Sequence, residues 1–98
     1  MTIRIIESAR RDLLDGARFY ERQGQGLGTR FLQALFADIS GLRVHAGVHS
    51  LHFGRYHRML AKRFPFAVYY RIEDGVILVC AVLDCRRDPA LIRERLAT

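Results

Sequence analysis

Two groups of basic residues are the strongest candidates for chemistry in this sequence. Arginine dominates both groups, and its planar guanidinium fork suits carboxylates and phosphates. If the strands that carry them are neighbours, their ends form one surface that could neutralise nucleic-acid phosphates or bind an acidic peptide. The alternative is an ordinary solvated charged face. The first group comprises Arg55, Tyr56, His57, Arg58, Lys62 and Arg63, and the second comprises Arg86, Arg87, Arg93 and Arg95.

Other kinds of chemistry have less support. Four histidines crowd residues 45–57 but are spread over a helix end, a loop and a strand, so we expect solvated loop histidines and no metal site. The glycine-rich segment 24–28 lacks the spacing and the following Lys-Ser/Thr of a phosphate loop, which favours a turn between helices. No serine lies in a nucleophile-elbow motif, and Cys80 is interpreted as a small apolar core residue. No cofactor is expected.

Composition is typical of a small, basic, globular domain. The 98 residues predict one domain spanning 1–98, and the 50% hydrophobic content argues against disorder. The formal net charge of +6, with arginine at fifteen of the sixteen basic positions, points to an acidic partner. Cys80 and Cys85 are too few and too close for a disulfide framework, and no apolar run resembles a signal peptide or a membrane span. We therefore expect reduced cysteines and a cytoplasmic protein.

A strand and a helical hairpin are predicted for the first half of the chain. The β-branched run in residues 2–7 predicts a strand, and Ser8 is placed to cap a helix that ends near Gln23. The glycines at 24–28 then separate it from a second helix that ends before Gly47. So short a connection predicts antiparallel helices, packed on the sheet face that contains Val79 and Ala81 or their neighbours. The apolar stripes that should mediate this contact include Leu13, Leu27, Phe31, Leu35, Ile39 and Leu42.

Three strands and a short helix are predicted for the second half. Residues 48–53 read as a loop, 55–63 as a strand with one wet, basic side, and 66–72 and 76–83 as further strands, with a break or bulge at Pro65. Asp74-Gly75 predicts a tight hairpin, and Asp88-Pro89 predicts the start of a helix over 90–96. The predicted fold class is α+β: an N-terminal strand, an antiparallel helical hairpin, a three-stranded antiparallel meander and a short C-terminal helix.

Several short segments occur in the order found in ParE-like toxins. They are Asp12-Leu13, Gly26-Leu27-Gly28 with Phe31-Leu32, the run RFPFAVYYR at 63–71, and Arg86-Arg87-Asp88-Pro89. On this ordered set, which spans nearly the whole chain, the sequence resembles the ParE-like toxins of the RelE/ParE toxin–antitoxin superfamily, of the plasmid-stabilisation type. The resemblance implies a helical hairpin on a curved antiparallel sheet.

The resemblance also implies a partner. ParE-like toxins are neutralised by a cognate antitoxin, whose acidic C-terminal segment wraps the toxin, pairs with its arginines and can add a strand to the sheet. No membrane association is implied. The residues expected to bind the antitoxin or the target are Arg58, Arg63, Arg71, Arg86, Arg87, Arg93 and Arg95.

Relatives with this fold have two activities. RelE-like ribonucleases cut messenger RNA on the ribosome and need basic groups together with a Tyr or His for proton transfer. ParE-like relatives are described as inhibitors of DNA gyrase. A third possibility is a non-toxic family member that only binds a partner.

This chain retains only part of the ribonuclease set. It keeps Arg58 and Arg86, but it has Ala67 where ribonuclease relatives place an arginine, and no His or Tyr follows Tyr70. Ile92 stands where some carry a tyrosine, and Asp84 where many family members have a histidine. The resemblance therefore favours a non-enzymatic gyrase inhibitor over an endoribonuclease. In the ribonuclease alternative, the catalytic residues would be Tyr56, His57, Arg58 and Arg86.

Overall fold

The computed structural model describes residues 1–97, which form a five-stranded sheet with helices on both of its faces. The strand order is β1-β5-β4-β3-β2, and every neighbouring pair is antiparallel except β1 and β5. The predicted α+β class and the β3-β4-β5 meander are confirmed. The elements are β1 (Thr2–Ile5), α1 (Glu7–Glu21), α2 (Leu27–Ser40), α3 (Leu42–His45), β2 (Leu51–His52), β3 (Tyr56–Leu60), β4 (Phe66–Glu73), β5 (Val76–Asp84) and α4 (Pro89–Leu96).

Helices α1 and α2 form an antiparallel hairpin that meets closely at Gly16. A Cβ atom at this position would lie 2.5 Å from Cζ of Phe31, so only glycine fits against the ring. Phe31 is fully buried and its ring contacts those of Tyr20, Phe64 and Phe66 at centroid distances of 5.3, 5.2 and 4.8 Å. Aromatic pairs at such distances add to the free energy of apolar burial. Gly16 therefore sets how closely the hairpin packs.

The glycine-rich segment is the turn between these helices, as predicted. The carboxylate of Glu21, at the end of α1, accepts hydrogen bonds from the backbone N–H groups of Gly26 at 3.1 Å and Gly28 at 2.9 Å. Gly26 adopts a φ of 84°, which favours glycine. The first N–H groups of α2 are thus satisfied by a side chain from α1, and the turn is a structural joint.

The two faces of the sheet carry separate hydrophobic clusters. The helical hairpin covers the first, in which Leu13, Phe31, Leu35 and Ile39 pack with Val79 and its neighbours, as predicted, whereas Leu27 was expected there and lies outside the cluster. Helix α4 contributes to the second. Because β4 and β5 lie in the middle of the sheet, they supply side chains to both clusters and read as apolar on both faces. The second cluster comprises Tyr56, Ala67, Tyr69, Ala81, Leu83 and Leu96.

A bulge at Cys80 makes one part of the core prediction wrong. Tyr70 pairs with Val79 and Tyr69 with Ala81, so Cys80 is an extra residue in β5. One inserted residue reverses the alternation of side chains along a strand. Ala81 consequently lies in the α4-side cluster instead of under the hairpin. Of the break or bulge expected at Pro65, the structure shows the break, because Pro65 lies in the turn between β3 and β4.

Four further local predictions are corrected by the structure. Helix α1 begins at Glu7 with Ile6 as its N-cap, so Ser8 lies inside the helix instead of capping it. The second helix breaks at Gly41, after which α3 forms a separate turn. Part of the predicted loop, Leu51–His52, pairs with β3 as β2. Finally, the expected wet side of β3 is covered at one end, because Tyr56 is only 5% exposed, whereas Leu60 on the same side is 59% exposed.

Two turn signals are confirmed at the level of backbone geometry. Asp74 and Gly75 have φ values of 51° and 74°, as the tight turn between β4 and β5 requires. Asp88 caps α4, because its Oδ1 accepts a hydrogen bond from the Ala90 N–H at 2.9 Å, with Pro89 in the first turn. This cap fixes where the chain turns back across the sheet.

Candidate functional site

The sheet face that α4 partly covers carries two of the predicted arginines. Arg58 on β3 pairs in register with Tyr69 on β4, and Arg71 lies two residues further along β4 on the same side. Tyr56 precedes Arg58 by two residues and shares this face. The face therefore presents two half-buried guanidinium groups around a tyrosine ring.

Two guanidinium groups lie over the Tyr56 ring. Arg55 and Arg71 place their Cζ atoms 5.5 and 5.9 Å from the ring centroid, within the range of cation–π attraction. Nη1 of Arg71 also lies 3.1 Å from a carboxylate oxygen of Glu73, while its Nε atom is buried with no hydrogen-bond partner in residues 1–97. Nearby, burial raises the pKa of the Cys80 thiol, which Arg71 counters only in part. Cys80 is half-buried, as is Cys85, and both are free thiols.

Arg58 and Arg86 meet different partners at the end of β5. Nη2 of Arg58 lies 3.8 Å from Sγ of Cys85. Arg86 forms a bidentate pair with Asp84, with Nε to Oδ1 at 3.0 Å and Nη2 to Oδ2 at 2.7 Å. Hydrogen bonds from Arg86 hold the pKa of Asp84 below its ordinary value. Arg86 is therefore already engaged with a carboxylate of its own chain.

Arg95 connects α4 to the opposite side of the molecule. Its Nη1 and Nη2 atoms donate to the two carboxylate oxygens of Asp12 on α1, each at 2.8 Å. Asp12 also accepts the backbone N–H of Val82 at 3.0 Å, in the part of β5 that β1 does not reach. The pKa of Arg95 is raised by its hydrogen bonds to Asp12. We call this three-element contact the Asp12 clasp.

The remaining predicted arginines are exposed and lie apart from one another. Arg63 lies in the turn between β3 and β4, beside Lys62 and near Arg30 of α2. Arg87 borders a small cavity of about 150 Å³ between α1 and the end of β5. Arg93 is exposed on α4. The seven arginines therefore form several basic areas on the surface instead of one cluster.

The residues named for a ribonuclease reaction lie on different faces of the sheet. Tyr56 belongs to the α4-side cluster and Arg58 shares that face, whereas His57 points to the hairpin side and stacks on Tyr70 at a centroid distance of 5.0 Å. Alternation along β3 forces this separation. The pKa of Arg86 is raised by its hydrogen bonds to Asp84 and further by Tyr20 of α1. Asp84 pairs in register with Phe66, a member of the hairpin-side cluster, so the Arg86–Asp84 pair lies on that side of the sheet.

A hydrogen-bonded histidine cluster was missed by sequence reasoning. The hydroxyl of buried Tyr70 accepts the Gly47 N–H at 3.0 Å and lies 2.6 Å from Nδ1 of His49. Nδ1 of His57 donates to the His49 carbonyl at 2.9 Å. Burial, followed by the charges of His57 and His45, lowers the pKa of His49. The prediction of solvated loop histidines is wrong for His49 and His57; the missed signal is that a tyrosine on a central strand needs a hydrogen-bond partner.

Metal-ligand and membrane signals are both absent from the described part of the chain. Within residues 1–97 there is no group of three or more His, Cys, Asp or Glu side chains able to hold a metal ion. Likewise, no helix in that range is both long and apolar enough to cross a membrane.

The fold and surface define a small basic α+β protein with a helical hairpin on one sheet face and a short C-terminal helix on the other. The family model described as "ParE toxin of type II toxin-antitoxin system, parDE" matches residues 3–89. The chain therefore belongs to the ParE toxin family, within the type II toxins.

A solved structure has the same fold. A chain in the structure described as "Chromosomal ParDE TA system from P. aeruginosa" superposes with a TM-score of 0.76, over 84% of this chain and 92% of that chain. The two sequences are 15% identical, so this likeness concerns the fold. Comparison with curated proteins gives no significant match.

Proposed function

We propose that this chain is the toxin of a type II toxin–antitoxin pair that acts in the bacterial cytoplasm by binding and inhibiting DNA gyrase. Membership of the ParE toxin family over residues 3–89 is the observation that carries the proposal. The net charge of +6 and the exposed arginines supply a surface for an acidic protein partner. In this reading the chain acts by binding and performs no chemistry of its own.

Neutralisation by a cognate antitoxin is the second part of the proposal. The solved relative is described as a ParDE system, which supports a paired partner here. An acidic C-terminal segment would bind a subset of Arg58, Arg63, Arg71, Arg86, Arg87, Arg93 and Arg95. Because Arg86 already holds Asp84, we expect exposed Arg87 to contribute more than Arg86. Charge reversal at both positions should weaken the complex and reduce its dependence on salt; unchanged affinity at every salt concentration would place the acidic contacts elsewhere.

We prefer gyrase to messenger RNA as the target because Tyr56 and His57, the two candidates for proton transfer, lie on different faces of the sheet. Cleavage by a 2′-hydroxyl needs one group to remove a proton from that hydroxyl and another to protonate the leaving oxygen. Each such group typically raises the rate by ~10²–10⁴-fold. Arginine serves poorly because it stays protonated. Tyr56 is buried under two arginines, and His57 lies on the other face with Nδ1 bound to the His49 carbonyl. This arrangement supports a binding function.

Induction of the chain in growing cells tests the proposal. We expect growth arrest, relief by co-expression of the antitoxin from the neighbouring reading frame, loss of plasmid supercoiling and intact transcripts. His57→Ala and Tyr56→Phe should remain toxic, with antitoxin binding as the control for folding. Toxicity lost in either variant while antitoxin binding persists, together with cut transcripts, would establish the ribonuclease alternative. Normal growth without the antitoxin would leave only a partner-binding role.

A further inference from the structure

The segment that joins α3 to β3, residues 47–55 with β2 inside it, is held in place mainly by polar contacts. Its three large apolar side chains, Val48, Leu51 and Phe53, are 76%, 59% and 47% exposed, so apolar burial contributes little to its position. Phe53 adopts a φ of 56°, a left-handed conformation that is unfavourable for a bulky residue. Strand β2 is two residues long and pairs with only two residues of β3. The segment therefore depends on its hydrogen bonds.

The hydroxyl group of Tyr70 on β4 is the anchor of this segment. Tyr70 is fully buried, and its oxygen accepts the Gly47 N–H at 3.0 Å and lies 2.6 Å from Nδ1 of His49. Burial raises the pKa of the Tyr70 hydroxyl, which therefore keeps its proton. In residues 1–97 the acceptor within reach of that proton is Nδ1 of His49. The contact thus requires a neutral His49 that carries its own proton on Nε2.

Protonation of His49 would reverse the direction of this hydrogen bond. An imidazolium carries N–H groups on both nitrogens, so Nδ1 of a charged His49 would face the Tyr70 hydroxyl as a donor. The buried hydroxyl proton would then lose its acceptor, which is unfavourable. His57 differs, because its Nδ1 already donates to the His49 carbonyl at 2.9 Å and can do so in either charge state. The geometry therefore makes His49 the proton-sensitive group of the pair.

The groups around His49 increase this sensitivity. His45 of α3, His57 of β3 and Tyr70 of β4 are the titratable side chains that surround it, and in residues 1–97 no carboxylate forms an ion pair with it. Burial, followed by the charges of His57 and His45, lowers the pKa of His49 from 6.5. The attached segment consequently binds this proton less readily than a detached segment would, and its attachment weakens as pH falls below 6.5.

We propose that His49 and Tyr70 form a proton-operated latch, in which protonation of His49 releases residues 47–55 and separates β2 from β3. Release withdraws the Ser50 carbonyl from the Arg58 N–H, which donates to it at 3.0 Å in the latched form. The outer edge of β3 is then open, and an open strand edge can pair with another chain. The latch is a property of the chain's own structure and holds whichever target the chain binds.

Amide hydrogen exchange of the full chain tests the latch, with NMR detection at several pH values and correction for the intrinsic exchange rate at each pH. The amides of Gly47 and Arg58 report on the segment and on the edge of β3. The amide of Ala61, which donates to the Phe66 carbonyl at 2.8 Å, is the internal control. Protection at Gly47 and Arg58 should fall at least roughly threefold from about pH 7.5 to about pH 5, while protection at Ala61 stays constant.

Matched variants assign the effect to one side chain. His49→Asn keeps an acceptor beside the Tyr70 hydroxyl but does not titrate in this range, so protection at Arg58 should become independent of pH. His57→Asn removes the neighbouring histidine and should leave the pH-dependent fall in place. In Tyr70→Phe the Arg58 amide should be poorly protected at every pH, because the anchor is missing. Thermal unfolding at neutral pH establishes that each variant is folded.

Three outcomes would overturn the latch. The first is protection at Arg58 that does not change with pH in the wild-type chain. The second is a fall that persists in His49→Asn, which would assign the proton to another group, and to His57 if His57→Asn abolishes it. The third is an equal loss at Ala61 and Arg58, which would mean that the whole molecule unfolds.

Discussion

Removing the Asp12 carboxylate should loosen α4 from the rest of the molecule. Asp12→Ala leaves the N–H of Val82, a residue only 1% exposed, without its acceptor, at a cost of ~1–3 kcal/mol. The substitution also removes the ion pair with Arg95. Because the Arg95 side chain is 29% exposed, solvent screening reduces the contribution of this pair to ~1 kcal/mol. The sum is ~2–4 kcal/mol of unfolding free energy, or roughly 10–20 °C in Tm for a chain of this length.

Chemical unfolding and amide hydrogen exchange check this prediction. Asp12→Asn keeps one acceptor oxygen and should lose about half as much stability. Asp15→Ala is the matched control on the same helix, because its side chain is 74% exposed and its pair with Arg18 spans 3.5 Å; it should change stability by less than ~0.5 kcal/mol. Amides of α4 should lose protection only in the Asp12 variants. An Asp12→Ala protein as stable as the Asp15→Ala control would refute the clasp.

Three further variants probe the hairpin and the histidine cluster. Phe31→Ala should cost ~3–5 kcal/mol in urea unfolding because the ring is fully buried; a loss below ~1 kcal/mol would mean that the helix face is misassigned. Gly16→Ala should cost ~1–3 kcal/mol, and much less in a Phe31→Leu background, since the new methyl group meets the Phe31 ring; equal costs in both backgrounds would contradict that contact. The lowered pKa of His49 means that the unfolded chain takes up the proton first, so stability should fall as pH drops through 6.5 toward that lower value. His49→Asn should flatten this decline relative to wild type, because the variant keeps His45, His57 and Tyr70 and loses only His49. An unchanged pH profile would exclude His49 as the source of the decline.

Local sequence signals predicted the elements well where a single residue type dictates the backbone. Asp74-Gly75 needs positive φ at both positions, and Asp88-Pro89 combines an N-cap oxygen with a fixed φ, so both were readable without tertiary information. Ser8 shows the limit of such reasoning. A residue of a capping type occurs as the second residue of the helix, while the N-cap is Ile6, whose N–H still bonds the Val79 carbonyl of β5.

The sequence could not show which sheet face each residue of β5 occupies, or which distant side chains pair. The bulge at Cys80 moves Ala81 to the other face, and no residue type near it signals an extra position. Asp12 and Arg95 are 83 residues apart, and their pairing depends on where β1 ends along β5. Sequence proximity groups the arginines into two clusters, whereas the fold distributes them over several surfaces, because residues that are close in sequence need not share a face.

The most direct test of the central claim is a gyrase assay with the purified chain. Increasing amounts are added to DNA gyrase and relaxed plasmid, and the same preparation is incubated with translating ribosomes carrying a defined message. The account predicts loss of supercoiling, its restoration by the antitoxin, and an intact message. Undisturbed supercoiling together with a reproducible, His57-dependent cut in the message would contradict it.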